Sequence, residues 1–204
     1  MLDTIWDQLR QTSIPELIAV VLAVAYLLLA VKEHIACWYA AFVSTAIFLV
    51  LFFEVSLYMD AALQVYYLIM AVYGWYEWKW GDKGESPLPI SIWPLKYHVI
   101  AISAVAVATT ISAVLLTRYT SDQLPWLDSF TTWGAIVTTW MVARKVLDNW
   151  PYWLIIDGVS IYMYMNRGLY FTAFLFVLYV IIIGFGWIAW IKSYRQQQTA
   201  LASA

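Results

Sequence analysis

The stretch NWPYWLIID (149–157) brings together three residues whose types and spacing bear on chemistry. Trp150, Trp153 and Asp157 fall at i, i+3 and i+7 and share one face of a helix. The flanks are almost wholly apolar. Insertion scales put the cost of a carboxylate near the middle of such a segment at roughly 2.5–3.5 kcal/mol. A proton, a cation, a paired Arg or a water-filled cavity can offset it. No Lys or Arg stands at comparable depth, since Arg144 and Lys145 lie at the segment's edge. A cavity that receives a cationic ligand is therefore the favoured reading. Indole faces attract cations by about 0.5–2 kcal/mol each, and they stack on flat heteroaromatics. Ser160 and Tyr164 continue the stripe. Blander readings stand beside this one. Either Trp fits an interfacial belt, and Asp157 could be protonated and bonded to a neighbouring helix.

These side chains need helices to hold them in a membrane. The chain has 204 residues, 64% hydrophobic and 12% charged, with a mean hydropathy of +0.73. A soluble domain is typically about 25% charged. Aromatic residues make up 18%, as suits two membrane interfaces. A formal charge of −2 gives no basic field for nucleic acid. His34 and His98 have no metal-ligand spacing, and the single Cys37 cannot form an internal disulfide. The first apolar run reads as a retained helix rather than a signal peptide.

Seven apolar segments are long enough to cross about 30 Å of hydrocarbon. They cover 15–32, 35–54, 60–79, 97–118, 129–147, 149–166 and 169–192. The predicted fold class is thus an all-α integral membrane protein with seven transmembrane helices. Residues 1–14 read as an extracytoplasmic surface segment and 193–204 as a frayed cytoplasmic tail. Residues 79–96 form the one long polar loop. Arg10, Arg118 and Arg167 fall on the N-terminal side and the other eight Lys and Arg on the opposite side. The positive-inside rule then predicts an outside N-terminus and a cytoplasmic C-terminus.

The chain repeats itself. Shifted by 112 residues, positions 32–79 give 11 identities in 48 gap-free positions, against roughly three or four by chance in so biased a composition. Trp38 falls on Trp150, Tyr67 on Tyr179, Gly74-Trp75 on Gly186-Trp187, and Trp78 on Trp190. The offset pairs the first three segments with the last three and leaves the fourth as a linker. The expected division is 15–79 as bundle 1, 80–128 as loop plus linker helix, and 129–192 as bundle 2. This is a 3+1+3 parallel repeat, similar to the SWEET-type transporters, with a path between the halves. The halves differ where Asp157 falls on Thr45, Trp153 on Ala41 and Phe176 on Gln64. Gln64 lies inside the third segment with Tyr67 one turn on. The Thr/Trp-rich stretch 131–145 reads as close helix packing before ligation.

The chain resembles the PnuC-type vitamin transporter family. NWPYWLIID matches the family's N-W-x-x-W-x-x-x-N/D signature. LQVYYLIMAVYGWYEW (63–78) matches its third-helix pattern, and ARKVLDNW (143–150) the approach to the sixth. The resemblance covers roughly residues 17–192. It implies two three-helix bundles joined by a linker helix, often as a homotrimer in a bacterial inner membrane. It also implies facilitated diffusion, with a cytosolic vitamin kinase trapping the product. Carried over by position, Trp150, Trp153, Asp157 and Gln64 contact substrate; Tyr67, Thr45, Ser160 and Tyr164 join them as candidate substrate-binding residues. Nicotinamide riboside transporters of the family carry Asn where Asp157 stands. Asp there resembles the thiamine-transporting PnuT branch, so thiamine is the expected substrate and nicotinamide riboside the alternative.

Other classes are weaker. No GxxxxGK[ST] loop supports a built-in ATPase. A retinal photoreceptor needs a Lys within the last helix, and none precedes Lys192 at its edge. An intramembrane enzyme needs paired catalytic groups at depth, where a single Asp is found. No metal and no cofactor are expected. A proton-coupled transporter using Asp157 as carrier remains an alternative.

Overall fold

The computed structural model describes residues 2–54, 58–81, 88–120 and 123–202. Among them it contains eight α-helices. These are α1 (Leu2–Gln11), α2 (Ile14–Val31), α3 (Cys37–Glu54), α4 (Tyr58–Trp80), α5 (Leu95–Tyr119), α6 (Pro125–Ala143), α7 (Asn149–Asn166) and α8 (Tyr170–Ala202).

Local chemistry sets the ends. Ser13 caps α2 by accepting from the Glu16 N–H at 3.3 Å, with Pro15 in the first turn. Glu33 after α2 and Lys145 after α6 both take left-handed backbone, at φ 52° and 48°, and break their helices. These two positions correspond under the repeat. Gly168 at φ 72° turns α7 into α8.

Three segments depart from the sequence expectation. Residues 193–202 are not a frayed tail but continue α8. Their Arg, Gln, Ala and Leu content favours helix, and the Gln197 side-chain oxygen accepts from the Ile90 N–H at 3.2 Å. The fifth segment runs 125–143 rather than 129–147, because Pro125 starts it and the Lys145 turn follows it. In the 79–96 loop, residues 82–87 lie outside the described residues. Leu88 and Ile90 are buried in the core. Ser91 is pinned to the α6–α7 turn, donating to the Lys145 carbonyl at 3.0 Å and accepting from the Leu147 N–H at 2.8 Å.

Large apolar side chains lie on the surface, and the mainly apolar interior also holds polar groups. Phe53, Ile69 and Phe185 are each more than 60% exposed, while Thr138, Asn149, Asp157 and Ser160 are buried. By length and composition, α2, α3, α5 and α8 can each cross a membrane. The helices α6 and α7 hold most of the buried polar side chains.

Packing recurs at the repeat offset. α3 packs on α2 and α4, and α7 packs on α6 and α8. α2 meets α8, and α6 meets α4. The Trp78 indole N–H donates to the Val142 carbonyl at 3.2 Å, and that of Trp190 to the Ala30 carbonyl at 3.0 Å. The two donors correspond under the repeat, and so do the two acceptors. Trp38 meets Trp78 edge-on at 5.4 Å and 85°, and Trp150 meets Trp190 at 5.3 Å and 87°. Trp78 and Trp190 join the two pairs at 6.0 Å. α5 packs on α6, and α1 on α8. The Gln8 side chain fastens α1 by donating to the Gly168 carbonyl and accepting from the Phe171 N–H, both at 2.8 Å.

Candidate functional site

Between these helices lies a cavity of about 250 Å³ with a largely apolar lining. It follows the repeat. Trp38 and Trp150, Thr45 and Asp157, Tyr67 and Tyr179, and Ala41 and Trp153 line it as offset pairs. So do Leu27 and Thr139, Ala30 and Val142, and Ala71 and Ile183. Seven such pairs supply fourteen of the nineteen lining residues, so the cavity straddles the junction of the related halves. The second half contributes the larger or more polar member of several pairs: Asp157 opposite Thr45, Trp153 opposite Ala41, and Thr139 opposite Leu27.

The predicted residues divide. Trp150, Trp153, Asp157, Tyr67 and Thr45 all line the cavity. Gln64, Ser160 and Tyr164 do not. Gln64 is half-buried elsewhere on α4; its counterpart Phe176 lines the wall instead. Ser160 turns its hydroxyl back to the Ile156 carbonyl at 3.0 Å, as a helical Ser does when it satisfies itself locally. Tyr164 stands behind Phe176, with ring centroids 5.1 Å apart.

Asp157 is 4% exposed, and its side chain has no hydrogen bond or ion pair to another described residue. Its carboxylate faces a pocket walled by aromatic rings. A buried carboxylate without a protein partner is costly, and the cavity is where a partner can come. Trp153 is half-buried and borders the cavity. Trp150 is only 2% exposed. Its ring lies so close over Gly186 that a Cβ there would overlap it, just as one on Gly74 would overlap Trp38. The stacking surface offered to a ligand therefore comes mainly from Trp153, while Trp150 presents little ring face.

The turns that follow α2 and α6 are tied by charge. The Lys145 ammonium meets the Glu33 carboxylate at 3.0 Å and lies 4.8 Å from the Trp78 ring centroid. The Arg144 guanidinium meets the Glu77 carboxylate at 2.8 Å. Ala30 and Val142, whose carbonyls accept the Trp190 and Trp78 bonds, lie three residues before Glu33 and Lys145 and line the cavity themselves.

Sequence reasoning missed Trp38, Asn149, Thr139, Tyr26, Phe176 and Tyr179 as lining residues. For Trp38 and Tyr179 the signal was present, because the repeat maps them onto Trp150 and Tyr67.

Residues 13–192 match the family described as nicotinamide mononucleotide transporter. The chain belongs to that family. It is an integral membrane transporter and not an enzyme. Among its relatives is the riboflavin/roseoflavin transporter RibM of Streptomyces davaonensis, 28% identical over 197 residues, with 93% of this chain and 90% of RibM covered. The nicotinamide riboside transporter PnuC of Escherichia coli (strain K12) is 26% identical over 194 residues, with 83% and 81% covered. A crystal structure of the vitamin B3 transporter PnuC superimposes with a TM-score of 0.71 at 18% identity, covering 96% of this chain and 90% of that one. That likeness establishes the shared fold.

Proposed function

We propose that this family member carries a cationic heteroaromatic vitamin into the cell by facilitated diffusion. The observation that carries the reading is Asp157, a buried carboxylate without a partner among the described residues on the wall of an aromatic cavity. Thiamine, with its thiazolium, is the first candidate because the signature ends in Asp rather than Asn. Nicotinamide riboside is the second, favoured by the relative described as its transporter; its pyridinium suits the same carboxylate. In either case the charged ring docks at Asp157 and stacks on Trp153.

The proposed architecture is seven spans in a 3+1+3 parallel repeat, with bundle 1 over 15–79 and bundle 2 over 129–192. The N-terminus lies outside and the C-terminus in the cytoplasm, so the Glu33–Lys145 end is cytoplasmic. Vitamin enters from the outer side, and rocking of the bundles separates Glu33 from Lys145 to release it. A cytosolic kinase then traps the product, and the protein works as a homotrimer. Flux into proteoliposomes tests the mechanism. Labelled vitamin should equilibrate without accumulating, and an imposed proton or sodium gradient should leave the end point unchanged. Concentration of unmodified vitamin by either gradient would overturn the uncoupled reading.

A further inference from the structure

The turns that follow α2 and α6 are equivalent under the repeat, so each is a control for the other. Three of their backbone bonds match one for one. The Glu33 N–H donates to the Ala30 carbonyl and the Lys145 N–H to that of Val142, both at 3.0 Å. His34 donates to Leu29 at 3.0 Å, and Val146 to Met141 at 2.9 Å. Cys37 donates to His34 at 3.0 Å, and Asn149 to Val146 at 3.1 Å. The difference lies at two other groups. In the second half, the Lys145 carbonyl accepts from the Ser91 N–H and the Leu147 N–H donates to the Ser91 carbonyl. Their counterparts, the Glu33 carbonyl and the Ile35 N–H, have no partner among the described residues. Lys145, Val146 and Leu147 are buried, whereas Glu33, His34 and Ile35 are half-buried or exposed.

The segment that makes this difference comes from the connection between the halves. Among the described residues, each hydrogen bond of 88–93 goes to the second half. The Ile90 N–H donates to the Gln197 side-chain oxygen on α8 at 3.2 Å. Ser91 pairs with the Lys145–Leu147 turn as a parallel bridge. The Trp93 N–H donates to the Asp148 carboxylate at 2.8 Å, and its ring meets Trp140 of α6 at 5.8 Å. Glu33 and Lys145 both hold left-handed backbone, which a residue with a side chain keeps where its surroundings fix it. Ser91 supplies that hold for Lys145, and no equivalent segment supplies it for Glu33.

We propose that residues 88–93 are a brace that makes the Lys145 turn the fixed side of the Glu33–Lys145 pair, so that the Glu33 turn is the side that moves when this end opens. Ser91 and Gln197 are its positioning residues: Ser91 holds the turn, and Gln197 ties the brace to α8. A symmetric repeat thereby opens asymmetrically. The inference rests on the transport reading above and adds which half yields.

The test is amide hydrogen exchange of the purified full-length protein at Glu33 against Lys145 and at His34 against Val146, which make the same bonds in each half. Lys145 and Val146 should exchange at least about tenfold more slowly than Glu33 and His34. Ser91→Pro, which removes the N–H that donates to Lys145, should close most of that gap. Gln197→Ala should narrow it, and Gln197→Glu, which keeps an acceptor oxygen, should not. The Gln197 variants carry the test if Ser91→Pro fails to fold. Saturating thiamine or nicotinamide riboside, whichever binds, should change exchange at Glu33 and His34 by at least about threefold and leave Lys145 and Val146 constant. Equal rates at the equivalent amides of the unmodified protein would overturn the brace and leave transport standing. So would an unaltered gap in a folded Ser91→Pro or Gln197→Ala protein, or a vitamin effect at Lys145 and Val146 as large as at Glu33 and His34. If neither vitamin binds the unmodified protein, the transport reading falls and this assignment with it.

Discussion

Glu33 and Lys145 occupy equivalent positions of the repeat, share left-handed backbone, and close on each other at 3.0 Å. A repeat has placed opposite charges at one site in its two copies and joined its halves through them. Lys145 is buried to within 7% exposure, so removing Glu33 leaves an ammonium poorly solvated, a costlier loss than that of a surface pair. Glu33→Gln and Lys145→Met should each lower the unfolding temperature in detergent by several degrees. The double exchange Glu33→Lys/Lys145→Glu should recover at least half of that loss. Additive loss in the double variant would show that the pair does not couple the halves.

Gly74 and Gly186 lie under the rings of Trp38 and Trp150 with no room for a methyl group. Gly74→Ala and Gly186→Ala should each destabilise by about 1–3 kcal/mol through overpacking. The two losses should be similar, since both glycines make the same contact. Thermal unfolding of the two variants side by side checks this; a loss in one and none in the other would deny the equivalence.

Trp150 and Trp153 should separate on substitution. Trp150→Ala removes a buried ring from the core and should cost about 3–5 kcal/mol of stability. Trp153→Ala, at a half-buried cavity wall, should leave the unfolding temperature within a few degrees and weaken vitamin binding by about tenfold. The check is to measure both stability and affinity for both variants. The reverse pattern would move the stacking surface to Trp150.

Much of this was legible in the sequence because hydrophobic length and the repeat are strong signals. The boundaries of 149–166 agree with α7, since its neighbouring turns carry Arg144, Lys145, Asn166 and Gly168. The Asp157 face was legible too, because a carboxylate inside an apolar run stands out. Gln64, Ser160 and Tyr164 were placed at the site by helical spacing and resemblance, yet they do not line the cavity. Spacing fixes a face but not how far around it the neighbouring helix reaches. Asn149 was hidden for another reason. In the first turn of a helix, an Asn reads as a cap or turn residue, and only the packed helices bring it to the cavity lining. The helix through 193–202 was obscured by polarity, which tells where the membrane ends and not where the helix does.

The proposed transport rests above all on Asp157 holding a cation. Tryptophan-fluorescence titration of the unmodified protein and of Asp157→Asn with thiamine, nicotinamide riboside and riboflavin tests it most directly. At least one of the two cationic vitamins should quench saturably, with affinity weakened about 10- to 100-fold in Asp157→Asn, as expected for losing a charge-assisted contact. Unchanged affinity for that vitamin in a folded Asp157→Asn protein, or saturable quenching by neutral riboflavin alone, would contradict it.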